Sequence, residues 1–260
     1  MIVIKLGGNA LAATTDQGWL EAISSAHKAG TKMALVHGGG PQIDQEFAIH
    51  SLPKVVVGGY RVTDVKAFEV VEMVLAGKVQ QGLVRMLRSQ SIPAVGVTGS
   101  DGGLFLAKKK YAPDGSDLGQ VGEIEEVDPR LIISLIQSGV LPVISSTSSD
   151  HEGNGFNVNA DLAAGALSGA LKVDRVIFMT DVPGIFRHYP HPETLIPHAT
   201  LDEMKRLLPS LSEGMVPKVE AVIHALESGA KRVNVIDGRD GGALSTLLNG
   251  RSCGTEISHD

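Results

Sequence analysis

The sequence predicts an α/β protein, a three-layer αβα sandwich with a central, mostly parallel sheet. Three observations carry that expectation. Short β-branched strands alternate with helical segments of about 10 to 15 residues, strands end repeatedly in glycine turns, and no solenoid repeat or low-complexity tract interrupts the pattern. The chain is 43% hydrophobic but only 4% aromatic, with 31 glycines, which suits an aliphatic core of short elements and tight turns. Parallel strands need crossovers that return along a face of the sheet, so helices cover both faces and ligands gather at the carboxyl ends of the strands. No Pro/Ser-rich or charged linker divides the chain, so a single domain over 1–260 is expected.

Ile2-Val3-Ile4 begins a strand that ends in Gly7-Gly8-Asn9, and Trp19, Leu20, Ile23 and Ala26 then recur at helical spacing over 16–29. The unit repeats. Met33-Ala34-Leu35-Val36 runs into His37-Gly38-Gly39-Gly40-Pro41, and Pro41 suits a first helical turn because its missing N–H would have no partner there anyway. A long amphipathic helix is expected from Asp64 to about Arg88, with Phe68, Val71, Leu75, Val79 and Leu83 on one face. Next come a strand over 94–97, a weak hairpin over about 104–124 with Pro113-Asp114-Gly115 near its tip, a helix from about Pro129 and a strand over 141–144. An alanine-rich helix over 161–171, strands over 175–180 and 232–236, and a helix over about 215–226 complete the alternation.

The formal net charge of −6 leaves no Lys/Arg stripe to displace counterions from phosphates, so nucleic acid is not an expected partner and any anion must be bound locally. Nothing approaches the ~18 apolar residues of a membrane helix. The first residues read as a strand rather than a leader, so no membrane contact and a cytoplasmic location are expected. The single Cys253 cannot form a disulfide within one chain and reads as an incidental thiol in a reducing compartment.

Several residues stand where chemistry would need them. A cation such as Lys5, at a strand end before a glycine turn, would lie near phosphates that the Gly7 and Gly8 N–H groups approach without a Cβ in the way; capping the strand end and reaching to water is the other reading. This turn matches neither G-x-x-x-x-G-K-[ST] nor G-x-G-x-x-G, which argues against P-loop enzymes and dinucleotide-binding oxidoreductases. Three successive glycines at 38–40 are entropically costly unless the backbone must approach something closely. The Gly39 and Gly40 N–H groups, at a helix N-terminus, suit a carboxylate or phosphoryl oxygens. His37 reads as a packed histidine bonded to nearby backbone rather than a base.

Arg61 can grip a carboxylate through two parallel bonds, while Thr63 or Asp64 can cap the helix that follows. Asn157 and Asn159 point the same way in an extended segment and offer amide groups to an amide-bearing substrate; a helix cap at Asn159 competes. Asp161 and Asp181 lie where strand gives way to helix or turn, and either can hold a Mg²⁺-bound water or orient lysines. Lys218 enters the first turn of a helix, beside the positive end of its dipole, which suggests an anion between them; a solvated surface lysine is the alternative. Lys108-Lys109-Lys110 reads as a solvated hairpin edge. The polar segment at 157–161 and the buried strand that ends at Asp181 would suit a site for a small acid and a phosphate, pointing to a small-molecule kinase.

The stretches IKLGGNAL (4–11), LVHGGGPQI (35–43), GYRVTD (59–64), EMVLAGKV (72–79), GSDGGL (99–104), VGEI (121–124), FNVNAD (156–161), TDVPGI (180–185), EGMVPKVEA (213–221) and a final GT (254–255) together resemble the amino-acid kinase family over essentially the whole chain. Single motifs are shared with carbamate, aspartate and uridylate kinases, but GYRVTD with FNVNAD and GMVPKVEA is similar to the acetylglutamate branch and its aminoadipate relatives. The resemblance implies the amino-acid kinase fold, with an N-lobe at about 1–173 for the acyl amino acid and dimerisation and a C-lobe at about 174–260 for ATP. It implies that Lys5 and Lys218 stabilise the transferring γ-phosphoryl group and Asp161 organises them, with backbone donors from Gly8, Gly39 and Gly40. Arg61 and Asn157, with Asn159 beside them, would hold the acyl amino acid. Asp181, Val182, Pro183, Gly184, Ile185 and Phe186 would form the nucleotide loop, bordered by Ser210, Leu211 and Ser212.

The chemistry implied is attack of the side-chain carboxylate of N-acetyl-L-glutamate on the γ-phosphorus of MgATP, giving an acyl phosphate in arginine biosynthesis. ATP and Mg²⁺ are the implied cofactors, with no firm protein ligand for the metal. A carboxylate is already ionised at neutral pH, so no general base is needed. Ser100 replaces a frequent lysine, and Gln80-Gln81 a usual Asn-Lys pair, which bears on substrate preference or subunit contacts. The chain starts at its first strand, without the N-terminal helix of arginine-inhibited hexamers, so a homodimer without arginine feedback is expected. Two rivals remain. A kinase for carrier-bound aminoadipate or glutamate in lysine biosynthesis would need more basic residues than Arg61, Lys54 and Lys66 around the acceptor. A non-catalytic nucleotide- or amino-acid-binding regulator would not require both Lys5 and Lys218.

Overall fold

The computed structural model describes residues 1–8, 18–211 and 215–260. Its strands are β1 (Ile2–Leu6), β2 (Met33–His37), β3 (Val56–Val57), β4 (Tyr60–Arg61), β5 (Ala94–Thr98), β6 (Phe105–Tyr111), β7 (Asp117–Val127), β8 (Leu141–Ser145), β9 (Thr147–Ser149), β10 (Gly155–Val158), β11 (Arg175–Thr180), β12 (His198–Thr200), β13 (Arg232–Asp237) and β14 (Thr255–Ser258). Its α-helices are α1 (Gly18–Lys28), α2 (Gly40–Ile49), α3 (Val65–Glu72), α4 (Gln80–Ser89), α5 (Arg130–Gln137), α6 (Ala160–Ala170), α7 (Leu201–Leu207), α8 (Val216–Glu227) and α9 (Gly241–Leu248). The chain divides into two compact units, residues 1–33 with 164–260, and residues 34–163.

In the first unit the strands run in the order β12-β14-β13-β11-β1, and only the β13–β14 pair is antiparallel. The near-continuous apolar runs of β1, β11 and β13 are what a parallel sheet covered on both faces requires, and their aliphatic side chains are buried. Lys5 lies opposite Phe178 and Leu6 opposite Met179. That register groups the first strand with the C-terminal part of the chain, whereas the sequence reading placed residues 1–173 together. Small residues let helices approach closely: a Cβ on Gly18 would lie 2.6 Å from the Gly241 carbonyl oxygen, and one on Gly169 would lie 1.9 Å from that of Ser228.

In the second unit β2, β8 and β5 are parallel neighbours, and β10-β7-β6-β9 close into a small barrel. The expected hairpin at 104–124 is present as β6 and β7. Its closure by β9 and β10 is an addition to that hairpin: β9 is Thr-Ser-Ser, with no apolar residue to mark a strand, and β10 offers only two inward apolar side chains, Phe156 and Val158. β3 and β4 were missed. They form a hairpin whose two central residues, Gly58 and Gly59, have φ of 56° and 83°, the primed-turn geometry that favours glycine. The helix expected over 64–88 is capped by the Asp64 carboxylate, which accepts from the Ala67 N–H at 2.8 Å. It is not one α-helix, however: Met73–Val79 is a π-helical segment between α3 and α4. A Cβ on Gly39 would lie 2.8 Å from a Leu75 methyl and 3.2 Å from a Val79 methyl, so the widened turns rest on a residue without a side chain.

Gln80 has a structural role. It is buried, and its amide donates to the Val97 carbonyl at 2.6 Å and the Val143 carbonyl at 3.1 Å, joining β5 to β8. Gly96 gives it room, since a Cβ there would stand 2.7 Å from the Gln80 amide carbon. The mostly parallel strands and alternating helices agree with the predicted fold class. No helix among the described residues is long and apolar enough to cross a membrane.

Candidate active site

In the first unit, the candidate residues gather at the carboxyl ends of adjacent strands. Lys5 is buried to 9% exposure near the end of β1, and a Cβ on Gly7 would lie 3.8 Å from its Nζ and 2.7 Å from the Met179 carbonyl oxygen. Gly7 therefore lets the chain turn tightly against β11 with the ammonium folded over it. Gly8 follows directly, at the edge of the undescribed residues 9–17. Asp181 follows the end of β11, and its Oδ1 lies 3.3 Å from the Nζ of Lys218, in the first turn of α8. The expected anion near Lys218 thus includes a protein carboxylate. Burial opposes ionisation of Asp181, but Lys218 outweighs it and holds the carboxyl below the usual carboxylate range.

The nucleotide-loop candidates divide by exposure. The side chains of Val182, Ile185 and Phe186 are buried, Val182 and Phe186 in a cluster with Met215 and partly buried Leu211. A ligand passing this loop would meet backbone, exposed Pro183 and Asp181 rather than those apolar side chains. Gly184 is buried with a Cβ position 2.6 Å from the Thr255 hydroxyl, and that hydroxyl accepts from the Ile185 N–H at 2.8 Å. Gly254, with φ 67°, brings its backbone so close to Val235 that a Cβ would lie 2.1 Å from the carbonyl oxygen. The C-terminal Gly-Thr pair is thus the brace of the loop. The Ser210 hydroxyl donates to the Leu207 carbonyl, and Ser212 lies outside the described residues.

In the second unit, Gly39 and Gly40 sit at the start of α2. His37 behind them is fully buried, its Nδ1 3.1 Å from the Gly38 carbonyl oxygen, and burial lowers its pKa to about 4, with that hydrogen bond opposing. The sequence reading of a packed, backbone-bonded histidine is what the structure has. Arg61, 14% exposed, pairs with Asp44 and stacks 5.0 Å above the Phe47 ring. Its Nη1 is buried with no hydrogen-bond partner among the described residues. Burial works against Asp44, yet hydrogen bonds from Lys54 and Arg61 keep its carboxyl below the ordinary range. The Asn157 amide donates to the Thr63 hydroxyl at 3.2 Å, and that hydroxyl donates to the Arg61 carbonyl at 2.8 Å. Asn159 takes the capping role: its Oδ1 accepts from the N–H groups of Asp161 at 2.8 Å and Leu162 at 3.2 Å. Asp161 lies in the first turn of α6, where the helix dipole favours a carboxylate.

A family model described as the amino acid kinase family matches residues 1–237. The chain belongs to the amino acid kinase family. It is 43% identical over 249 residues to a protein named acetylglutamate kinase from Corynebacterium jeikeium, covering 92% of this chain and 77% of that one. A protein of the same name from Corynebacterium urealyticum is 39% identical, covering 100% and 87%. Among solved structures, an N-acetylglutamate synthase from Neisseria gonorrhoeae matches with a TM-score of 0.87 at 22% identity, covering all of this chain but 59% of its own. A carbamate kinase from Giardia lamblia bound to AMP-PNP matches with a TM-score of 0.68 at 23% identity, covering 100% and 98%. At such identities the two structures speak to the fold alone.

Within this amino acid kinase chain, some site-shaping residues carried no local signal. Asp44 is one, because its partners Lys54 and Arg61 lie 10 and 17 residues away. Arg239 is another: it donates to the Asp181 carbonyl at 2.7 Å while paired with Asp237. The turn Asp237-Gly238-Arg239-Asp240 after β13 was its only visible cue. Lys109 and Lys110 pair with Asp117 and Glu123, and Lys110 stacks 5.0 Å from the Tyr60 ring, so this run is more engaged than a solvated edge. A cavity of about 760 Å³ beside Asp64, Gln120 and Phe156 is lined by none of the candidate site residues. No group of three or more metal-binding side chains occurs among the described residues.

Proposed function

We propose that the chain catalyses ATP-dependent phosphorylation of the side-chain carboxylate of N-acetyl-L-glutamate, giving N-acetylglutamyl 5-phosphate, a step of arginine biosynthesis. The observation that carries this reading is the 43% identity, over 92% of the chain, to a protein named acetylglutamate kinase. Arg61 and Asn157 are assigned to the acyl amino acid, with Gly39 and Gly40 as backbone donors; the buried, unpartnered Nη1 of Arg61 supports this, since a ligand carboxylate would complete its bonding. Asp181 to Phe186, with Ser210 to Ser212, are assigned to the nucleotide. The corresponding lobes, an acceptor lobe and a nucleotide lobe, belong to the same reading.

Phosphoryl transfer of this kind calls for positioning and charge neutralisation rather than a base, because the attacking carboxylate is already ionised. Lys5 and Lys218 neutralise charge that spreads over the migrating group, the N–H groups of Gly8, Gly39 and Gly40 hold its oxygens, and Asp161 orients the ammonium groups. Bound with the nucleotide, Mg²⁺ would neutralise charge on the β- and γ-phosphates. With no carboxylate cluster among the described residues to hold it, the phosphates would be its main ligands. A homodimer and a cytoplasmic location complete the proposal; sedimentation at assay concentration tests the first.

The deciding assay measures ADP release with N-acetylglutamate, free glutamate and 2-aminoadipate, and traps the acyl phosphate with hydroxylamine. Turnover confined to N-acetylglutamate supports the reading; preference for aminoadipate, or none with any acceptor, overturns it. Lys218→Ala should lower kcat by about 100-fold or more while substrate binding stays largely intact.

A further inference from the structure

His37 is a polar residue in a place that does not need one. It ends β2 opposite Ser145 and is fully buried, and its ring makes one polar contact among the described residues, Nδ1 at 3.1 Å from the Gly38 carbonyl oxygen. A carbonyl can only accept, so Nδ1 carries the proton and Nε2 is a bare acceptor. That acceptor is buried with no partner among the described residues. Leaving an acceptor unpaired inside a fold is unfavourable, and an apolar ring of the same size would avoid it. Packing therefore does not account for an imidazole here, whereas the Nδ1 bond does something an apolar ring cannot.

The 38–39 peptide is trans, so the Gly38 carbonyl and the Gly39 N–H point in opposite directions across one rigid plane. Glycines on both sides of that plane leave it otherwise free to rotate. We infer that His37 is a positioning residue: by holding the Gly38 carbonyl toward the buried imidazole, it turns the Gly39 N–H away from that ring and fixes it as a donor to the phosphoryl group or acceptor carboxylate. This rests on the kinase reading above and deepens it, since it assigns the aim of a backbone donor to a side chain that never touches substrate.

Two substitutions separate aim from packing. His37→Asn keeps an N–H one bond beyond Cγ, as Nδ1 is, but leaves space unfilled; His37→Phe fills the space and loses the donor. The expected result is that the asparagine enzyme keeps kcat within about threefold of the parent, while the phenylalanine enzyme, assayed well below its thermal midpoint, loses about tenfold or more in kcat. A phenylalanine variant as active as the parent, or loss of activity that merely tracks loss of stability in both, overturns the inference. Imidazole and amide ¹⁵N spectra of the full chain give a readout independent of turnover: protonated Nδ1 at neutral pH, and a Gly39 amide resonance displaced far more by His37→Phe than by His37→Asn. If the parent shows no turnover, the kinase reading fails and these spectra still decide the inference; an Nε2-protonated ring, or equal displacement in both variants, overturns it.

Discussion

Arg61 is held on three sides, by the Asp44 carboxylate, the Phe47 ring and the backbone link through Thr63 to Asn157, yet Nη1 keeps a bond to give. A lysine at this position could still satisfy Asp44 but offers no second, parallel donor. Arg61→Lys should raise the KM for the acceptor by about tenfold or more, the equivalent of one charge-assisted hydrogen bond, and leave the KM for ATP where it was. Steady-state kinetics with each substrate varied in turn check this; an unchanged acceptor KM would remove Arg61 from the site. The residue type was legible in Gly-Tyr-Arg-Val-Thr-Asp, but its orienting partner was not, because Asp44 sits on α2, which meets Arg61 only in the folded chain.

At the scale of elements, strand ends and their turns set both stability and aim. Folding keeps His37 neutral down to about pH 4, while the unfolded chain takes up a proton near 6.5. Below pH 6.5 the unfolded state binds more protons, so this residue lowers stability as pH falls from 6.5 toward 4 and has no effect above that window, a loss of about 3 kcal/mol at most. Urea denaturation between pH 4 and 8 should show a shallower acid dependence in His37→Phe than in the parent; parallel curves would contradict the buried, neutral ring. The C-terminal brace makes a separate prediction. Gly254→Ala combines a positive φ with a Cβ 2.1 Å from the Val235 carbonyl oxygen, and should cost more than about 1 kcal/mol in thermal or urea unfolding. Thr255→Val keeps the shape but removes the acceptor for the Ile185 N–H, so it should weaken ATP more than the acyl amino acid. Strands such as β1 and β11 were readable because a covered parallel strand is an unbroken aliphatic run. β9, β12 and β14 were not, since three or four residues of mixed polarity carry no period. α7 was overlooked despite a cue in plain view, the capping box of Thr200 and Glu203.

For the whole molecule, metal and fold should be separable. Because no cluster of carboxylates among the described residues could hold a resident ion, chelation with EDTA should abolish turnover yet move the thermal midpoint by no more than about a degree. A large drop in midpoint would reveal a structural metal. The sequence conveyed the class of fold, while it was silent on which side chains within the 181–186 loop face inward: Val182, Ile185 and Phe186 are buried, so any contact they make with a ligand falls to their backbone. Tolerance to change follows the same logic of partners distant along the chain. The Gln80 amide fills the space above Gly96 and ties together two strands, so a mutational scan of the natural background should find residue 96 intolerant of even a methyl group. With a shorter side chain at 80 that intolerance should disappear, which makes these two positions an interdependent pair whose order of substitution decides which variants a laboratory lineage can reach.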